Sequence, residues 1–308
     1  MTTALLIRNP VARHPLSDET LASVLSIART AGWQIESVET DDSGAATRLA
    51  RDAAARAIDI VIVHGGDGTV NEALNGLAGT RTALAVLRGG TANVWAKETQ
   101  CAKDPVTSMR AIVSGTRRSV DVGRANGRYF LLMAGIGLDA AIVARMSPTW
   151  KRRLGALAYV VAGIGATFRW RTHDIRLTID GTEYATPMYW MLIGNTRLYG
   201  GVANITNRAV IDDGKLEVAL LKRGGPLRML ESLARLAFRR HLRGGNVRYA
   251  RAATIDVTTP DLPVQLDGED IGATPMRFEV LPGALDVIVP RDLDSPLFST
   301  PVVRTNEP

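Results

Sequence analysis

Over roughly its first 120 residues the chain alternates short β-branched runs with stretches whose apolar positions recur every three to four residues. Ala4–Ile7 reads as a strand, and Leu21, Val24, Leu25 and Ala28 then fall on one helical face. Gln34–Val38 follows as a second strand, Ala45–Arg56 as a helix, Ile58–Val63 as a buried third strand and Thr82–Leu87 as a fourth. This alternation predicts a parallel α/β domain. The third and fourth strands each run into a glycine turn, and ligands of open parallel sheets collect beyond the carboxyl ends of the strands, so the two turns can build one site. From Val120 the pattern changes to short β-rich segments: Tyr129–Met133, Ile175–Ile179, Met188–Ile193, Leu216–Leu221, Thr254–Val257 and Leu285–Val289. Turns such as Asp180-Gly181 and Asp213-Gly214 separate them, the pattern of an antiparallel β-sandwich. The predicted fold is therefore α/β plus β, with residues 1–122 as the α/β domain and 123–290 as the sandwich. Two helices, Lys151–Phe168 and Pro226–Leu242, are expected within the second part. The tail 291–308 is expected to end loosely or to pack back on the first domain as an extended strap.

The third strand leads into Gly65-Gly66-Asp67-Gly68-Thr69-Val70-Asn71-Glu72. A strand, a glycine turn and a helix N-terminus let backbone N–H groups face an anion without Cβ obstruction. A purely structural role is also available: the glycines permit a tight turn, and Thr69 with Glu72 forms a capping box for the helix. That role leaves Asp67 unexplained, because a carboxylate among phosphate-binding amides is repulsive unless a cation lies between them. A magnesium-bridged nucleotide resolves the conflict, although the run has neither the Walker lysine nor the Rossmann spacing. The fourth strand leads into Arg88-Gly89-Gly90-Thr91-Ala92-Asn93, which repeats the design with two glycines, a hydroxyl and an amide before a helix.

Charge and composition narrow the partners. There are 37 basic and 31 acidic residues, for a net charge of +6. The excess is concentrated: Arg223 to Arg251 holds eight arginines against one acid, Glu231, and Lys151-Arg152-Arg153 forms a second cluster. With only 5% aromatic residues and no nucleic-acid-binding signature, the chain is not expected to bind nucleic acid, and anionic phospholipid headgroups are the better partner. In the Pro226–Leu242 helix, Leu227, Leu230, Leu233, Leu236 and Phe238 make an apolar side, and Arg228, Arg235 and Arg239, with Arg243 just beyond, supply a basic one. This is either a core-packed helix with a solvated arginine face or a membrane-docking surface. The single cysteine, Cys101, excludes an intrachain disulfide and a cysteine-based metal site. The start lacks the apolar core of a secretory signal, and the longest uncharged stretch, Leu154–Phe168, falls short of the roughly 20 residues a spanning helix needs. A cytoplasmic protein with peripheral membrane attachment is expected. The four histidines, at 14, 64, 173 and 241, have no metal-like spacing and receive no role.

The Gly-Gly-Asp-Gly-Thr-Val-Asn-Glu run and the downstream Gly-Gly-Thr-Ala-Asn together resemble the diacylglycerol kinase catalytic family, specifically bacterial soluble lipid kinases related to sphingosine and ceramide kinases. Further along, the resemblance takes in Asp121-Val122-Gly123, Ala134-Gly135-Ile136-Gly137-Leu138-Asp139, Asp212-Asp213-Gly214-Lys215-Leu216 and Asp267-Gly268-Glu269, in order over nearly the whole chain. Gly-Gly-Asp-Gly alone is shared with NAD kinases, so the later motifs carry the choice. The resemblance implies an ATP- and Mg2+-dependent kinase that phosphorylates a hydroxyl of a diacylglycerol-like lipid at the membrane surface. It implies nucleotide contacts at Asn9, Thr40, Gly65, Gly66, Asp67, Gly68, Thr69, Val70, Asn71, Thr91 and Asn93. It further implies an acidic catalytic pair, Asp267 and Glu269, without deciding which is the general base, with Asp67 and Asp121 as further carboxylates near the catalytic metal. A structural magnesium ion would be held by Asp213 and the carbonyls of Val210 and Lys215. A homodimer is left open.

Read without the family, Asp267-Gly268 is a common hairpin turn. Two departures from the family also stand out. Asn9-Pro10-Val11-Ala12-Arg13 lacks the glycine of the Asn-Pro-x-Ser-Gly loop, a gap Arg13 or His14 could fill, and Val94 stands where many relatives carry an aspartate. They leave a non-catalytic nucleotide-binding regulator of lipid metabolism as one alternative, and the run shared with NAD kinases leaves a kinase of a soluble acceptor such as NAD as another.

Overall fold

The computed structural model describes residues 1–145, 170–201, 203–225 and 246–299. The predicted helices Lys151–Phe168 and Pro226–Leu242, with their basic clusters, lie outside the described residues. The chain divides into two compact units. The first holds Met1–Val122, Ile211–Asp213 and the segment from Pro282 onward; the second holds Gly123–Val210 and Gly214–Leu281.

The first unit contains β1 (Thr3–Arg8), α1 (Asp18–Thr30), β2 (Gln34–Glu39), α2 (Ala45–Ala55), β3 (Ile60–Gly65), α3 (Asp67–Leu77), β4 (Ala83–Arg88), α4 (Val94–Glu98), α5 (Pro105–Val113) and most of β5 (Thr116–Ala125). Its parallel sheet runs β2-β1-β3-β4. Every residue of β3 is buried, as expected of a parallel strand covered on both faces. On one face Val24 and Ala28 of α1 pack with Met109 and Ile112 of α5 against Leu6, Ile62 and Leu87. Near the other, α2 buries only alanines and α3 contributes Gly76, where a Cβ would lie 2.6 Å from the Thr47 carbonyl. Small residues thus let α2 and α3 approach closely.

The second unit contains β6 (Arg128–Phe130), β7 (Met133–Gly137), α6 (Leu138–Arg145), β8 (His173–Ile179), β9 (Thr182–Met188), β10 (Trp190–Gly194), β11 (Leu198–Tyr199), β12 (Ala203–Asn204), β13 (Leu216–Leu221), β14 (Val247–Ala252), β15 (Thr254–Val257), β16 (Pro263–Leu266), β17 (Glu269–Ala273) and the start of β18 (Met276–Val289). One antiparallel sheet runs β14-β13-β10-β7-β16-β17, and β18, β15, β8 and β9 pair antiparallel in another. Between them lies a core that includes Phe130, Ile136, Leu177, Met191, Val218, Ile255, Val264 and Phe278. Fully burying one such side chain stabilises by about 1.5–3 kcal/mol.

Several elements differ from the sequence reading. Tyr129–Met133 is not one strand: the chain breaks at Leu131-Leu132, whose amides turn to a carboxylate described below. Met188–Ile193 divides at Tyr189 between β9 and β10. Leu285–Val289, read as a sandwich strand, is the end of β18, and Val287 pairs parallel with Leu84 of β4 in the first unit. Its apolar residues suit either environment, so periodicity could not choose between them. Leu293, Leu297 and Phe298 beyond it are buried, and the Leu297 carbonyl accepts the Ile211 amide at 2.8 Å. Among the described residues no helix is long and apolar enough to cross a membrane.

Candidate active site

In the first unit, β3 and β4 end side by side with Gly65 opposite Arg88, so their glycine turns meet. The Gly89 amide donates to the Gly65 carbonyl at 2.9 Å. A Cβ on Gly90 would lie 2.5 Å from the Gly66 Cα, and one on Gly65 would lie 2.7 Å from Thr69 Oγ1. Glycine at position 90 is a requirement of loop-to-loop packing, and at position 65 of the packing of the strand end against the first turn of α3. Asn93, in the left-handed region at φ +46, closes the second turn on itself: its Oδ1 accepts the Gly90 amide at 2.9 Å and its Nδ2 donates to the Gly90 carbonyl at 2.7 Å.

The helix α3 begins after Gly66 with no side-chain cap. The predicted capping box does not form, because the helix starts at Asp67, which places Thr69 inside the first turn. Thr69 Oγ1 instead accepts from Asn9 Nδ2 at 3.1 Å, and Glu72 Oε2 accepts the Ala46 amide at 3.2 Å, at the start of α2. The first-turn amides of α3 at Gly68 and Thr69 are thereby left for an external acceptor, as a phosphate cradle needs.

Asp67 does not require a cation to explain its place. Its Oδ1 accepts the amides of Val94 at 2.7 Å and Trp95 at 3.4 Å, the first turn of α4. Of the two helix starts beside the glycine turns, one is therefore satisfied internally by a carboxylate and the other stands open. Burial pushes the Asp67 carboxyl above its ordinary value, partly opposed by those two amides. Asn9 is anchored by its amide to the His64 carbonyl at 2.9 Å, and Thr40 by its amide to the Arg8 carbonyl at 2.9 Å. These two expected nucleotide residues thus follow β1 and β2. Thr91 is exposed, whereas Val70 and Asn71 are buried in α3, with Asn75 Nδ2 donating to Asn71 Oδ1 at 3.2 Å. Asp121 is buried, and its Oδ1 accepts the Gly283 amide at 2.9 Å.

In the second unit, Asp267-Gly268 is the two-residue turn between β16 and β17, with φ +48 and +86. The hairpin reading and the family motif are both satisfied by the same residues. Asp267 also caps the break between β6 and β7: Oδ2 accepts the Leu131 amide at 2.8 Å, and Oδ1 accepts those of Leu132 and Met133, each at 2.9 Å. Glu269 behaves differently. Its side chain is part-exposed and ion-paired with Arg128 of β6. Of the acidic pair, Asp267 is committed to the backbone and Glu269 is the one presented to solvent.

Residues 3–125 match the diacylglycerol kinase catalytic domain, and residues 133–289 match the YegS C-terminal NAD kinase beta sandwich-like domain. A "Probable lipid kinase YegS-like" of Pseudomonas putida is 31% identical over 289 residues, covering 92% of this chain and 94% of that protein. The chain belongs to the diacylglycerol kinase family. A "Diacylglycerol kinase" of Bacillus subtilis is 29% identical over 297 residues, covering 95% of this chain and 98% of that one. The solved structure of a "putative diacylglycerol kinase" from Bacillus anthracis superposes with a TM-score of 0.82 at 26% identity, covering 95% and 96% of the two chains.

For a diacylglycerol kinase family member, the first unit's cradle suits nucleotide phosphates: an open helix start, glycines that a Cβ would clash with, and an exposed threonine. Asp213 belongs to the first unit, and Val210 and Lys215 to the second. One carboxylate and two carbonyls are oxygen donors suited to a hard cation. Among the described residues no three His, Cys, Asp or Glu side chains gather into a metal site. The neighbouring Asp212 is bound elsewhere, to Arg118 at 3.3 Å and the Ser299 amide at 2.7 Å.

Two residues of the site escaped sequence reasoning. Arg128, the partner of Glu269, follows an ordinary Asn-Gly turn and carries no motif. His64, immediately before the glycine run, is buried, and neither ring nitrogen makes a hydrogen bond within 3.5 Å. Burial lowers its pKa to about 4, and Arg8 adds to the shift, so the ring is neutral beneath the loops. Its Nε2 is 3.0 Å from where a Gly89 Cβ would stand.

Proposed function

We propose that this protein is an ATP-dependent lipid kinase, transferring the γ-phosphoryl group to a hydroxyl of a diacylglycerol-like or related lipid. The observation that carries the nucleotide half is the open start of α3 packed against the second glycine turn. The acceptor half rests on the family, whose relatives named above match this chain along almost its full length. In this reading the amides of Gly68 and Thr69, with the Thr91 hydroxyl, hold phosphate oxygens, and Asn9 donates to Thr69. Glu269 is the general base in this reading, taking the proton of the acceptor hydroxyl as it attacks. Asp267 holds the backbone of Leu131 to Met133 through its two carboxylate oxygens. Most of the acceleration in such transfers comes from positioning and charge neutralisation. Mg2+ bound with the nucleotide would neutralise phosphate charge, and Asp67 would address it through water.

Val94 does not argue against turnover, since residue 94 serves Asp67 through its main-chain amide, which any residue but proline supplies. The soluble-acceptor and non-catalytic readings are accordingly not favoured. Access to a membrane substrate would come from peripheral binding to anionic headgroups, supported by exposed Arg223, Arg248 and Arg251, the last two on the edge strand β14. The deciding experiment is transfer from radiolabelled ATP to a panel of diacylglycerol, phosphatidylglycerol, sphingoid bases and NAD. Label in a lipid product is expected; label only in NAD, or in none, overturns the proposal.

A further inference from the structure

We propose that Asp139 is a positioning residue for the hairpin that carries Glu269, acting through the side-chain amide of Gln265. The inference rests on the role of Glu269 given above. Asp139 stands in the first turn of α6 and is 3% exposed; Gln265, on β16, is 2% exposed. Gln265 Nε2 donates to Asp139 Oδ2 at 2.6 Å, and Gln265 Oε1 accepts the Gly268 amide at 2.6 Å. The Tyr199 hydroxyl donates to the other Asp139 oxygen, and its ring meets Trp190 edge-on at 5.9 Å. The chain Tyr199–Asp139–Gln265–Gly268 therefore ends on the turn immediately before Glu269.

The direction of these bonds is what Asp139 decides. A primary amide can present either its oxygen or its NH2 to a neighbour, and an ionised carboxylate only accepts. With the carboxylate on one side, the NH2 of Gln265 must face it, which leaves Oε1 as the acceptor for Gly268. Gly268 is at φ +86, and a bond to its amide fixes the peptide between Asp267 and Gly268, one residue before Glu269. The β16–β17 register also shifts between Val264 and Gln265, so the ladder itself is irregular next to the hairpin end and a side-chain tie takes over part of its work. Gly135 completes the arrangement: a Cβ there would stand 2.0 Å from Asp139 Oδ2 and 2.6 Å from Gln265 Nε2. Burying the carboxylate is unfavourable, and burial raises its pKa, opposed by the bonds from Tyr199 and Gln265. An apolar residue would fill the space without that cost but would not orient the amide.

The test is an exchange of polarity in the full-length protein. Asp139→Asn keeps both bonds, accepting from Gln265 and donating to the Tyr199 hydroxyl, which accepts as well as donates, whereas Gln265→Glu sets a second carboxylate against Asp139. The double variant Asp139→Asn/Gln265→Glu restores every bond with one of them reversed. The new amide at position 139 accepts from Tyr199 and donates to the new carboxylate at position 265, which still accepts from Gly268. Rates are measured with varied ATP and with diacylglycerol in phosphatidylcholine vesicles, beside thermal melting. Gln265→Glu is expected to lower kcat by roughly 10- to 100-fold with the KM for ATP unchanged, and Asp139→Asn and the double variant to stay within about threefold of wild type, since their bonding is equivalent. Wild-type kcat in Gln265→Glu overturns the proposal. So does a double variant that remains slow, or that does not fold, since its bonding should match the wild type. A rise in lipid KM alone for Gln265→Glu also overturns it and assigns the pair to acceptor binding. Glu269→Gln is run in parallel: if it retains wild-type rate, the reading of Glu269 fails, whereas an inactive Glu269→Gln beside a normal Gln265→Glu fails only the present proposal.

Discussion

Asp67 accepts the Val94 amide at 2.7 Å, so a carboxylate from the first glycine turn caps the short helix that follows the second. The pair ties together the two turns that the sequence presents separately, and it separates two duties of Asp67: hydrogen-bond acceptor and charge. Asp67→Ala removes both, and should lose transfer and about 1–3 kcal/mol of stability for the amides left unpaired. Asp67→Asn keeps the acceptor and removes the charge, so it should lose transfer while melting near or above wild type at neutral pH. The sign follows from the raised folded pKa: this group favours the folded state most below its unfolded pKa, and that contribution is lost as pH rises through the folded value. Melting of wild type and Asp67→Asn from pH 4 to 8 checks it, the difference growing in favour of the variant as pH rises.

His64 should act in the opposite direction. Its pKa falls to about 4 on folding, so the neutral ring contributes stability above the unfolded value, lost as pH falls toward the folded one. The shift from the usual 6.5 corresponds to about 3 kcal/mol at the acid end. His64→Gln should therefore flatten the loss of stability between pH 6.5 and 4, measured by urea unfolding at each pH.

Gly90→Ala should weaken nucleotide binding, because the added Cβ lies 2.5 Å from backbone at Gly66 and the turns must part. A cost of about 1–3 kcal/mol is expected from the strain. Titration calorimetry with ATP and a melting curve measure the two effects. Unchanged affinity would show that the approach of the loops does not shape the cradle.

The acidic pair should divide by phenotype. Asp267→Ala strands the amides of Leu131, Leu132 and Met133 and should cost on the order of 3 kcal/mol or more, seen as a lowered urea midpoint. Glu269→Gln should leave the midpoint near wild type and lower kcat by about 100- to 10,000-fold. Equal loss of stability in both would remove the distinction drawn between them.

Sedimentation with vesicles should show binding to anionic but not zwitterionic lipid, reversed by high salt. Replacing Arg248 and Arg251 by Ala should weaken it by roughly fivefold per charge, at about 1 kcal/mol each. Indifference to lipid charge would remove peripheral docking through these residues.

Much of the fold is legible in the amino-acid order. The strands and helices of the first unit are readable because buried parallel strands are continuous apolar runs and amphipathic helices show their period. Asp267-Gly268 and Asp180-Gly181 announce hairpins because few residues accept positive φ. The misreadings share one cause. Tyr129–Met133 looks like a single strand because its side chains are apolar, while what interrupts it is a carboxylate 134 to 136 positions away. The capping box looks complete because Thr69 and Glu72 have the right spacing, but their partners are Asn9 and Ala46. Arg128 has no local signature at all.

The order of residues alone determined the family, the alternating α/β half, the sandwich half and the two glycine turns, because these depend on local periodicity and on which residues tolerate a turn. Only tertiary structure decided what the carboxylates do. Asp67 caps a helix, Asp267 holds a strand break, Asp139 orients an amide and Glu269 is left facing solvent, four uses of one chemical group. A carboxylate's role is set by the donors that surround it, and in this fold those donors come from distant parts of the chain.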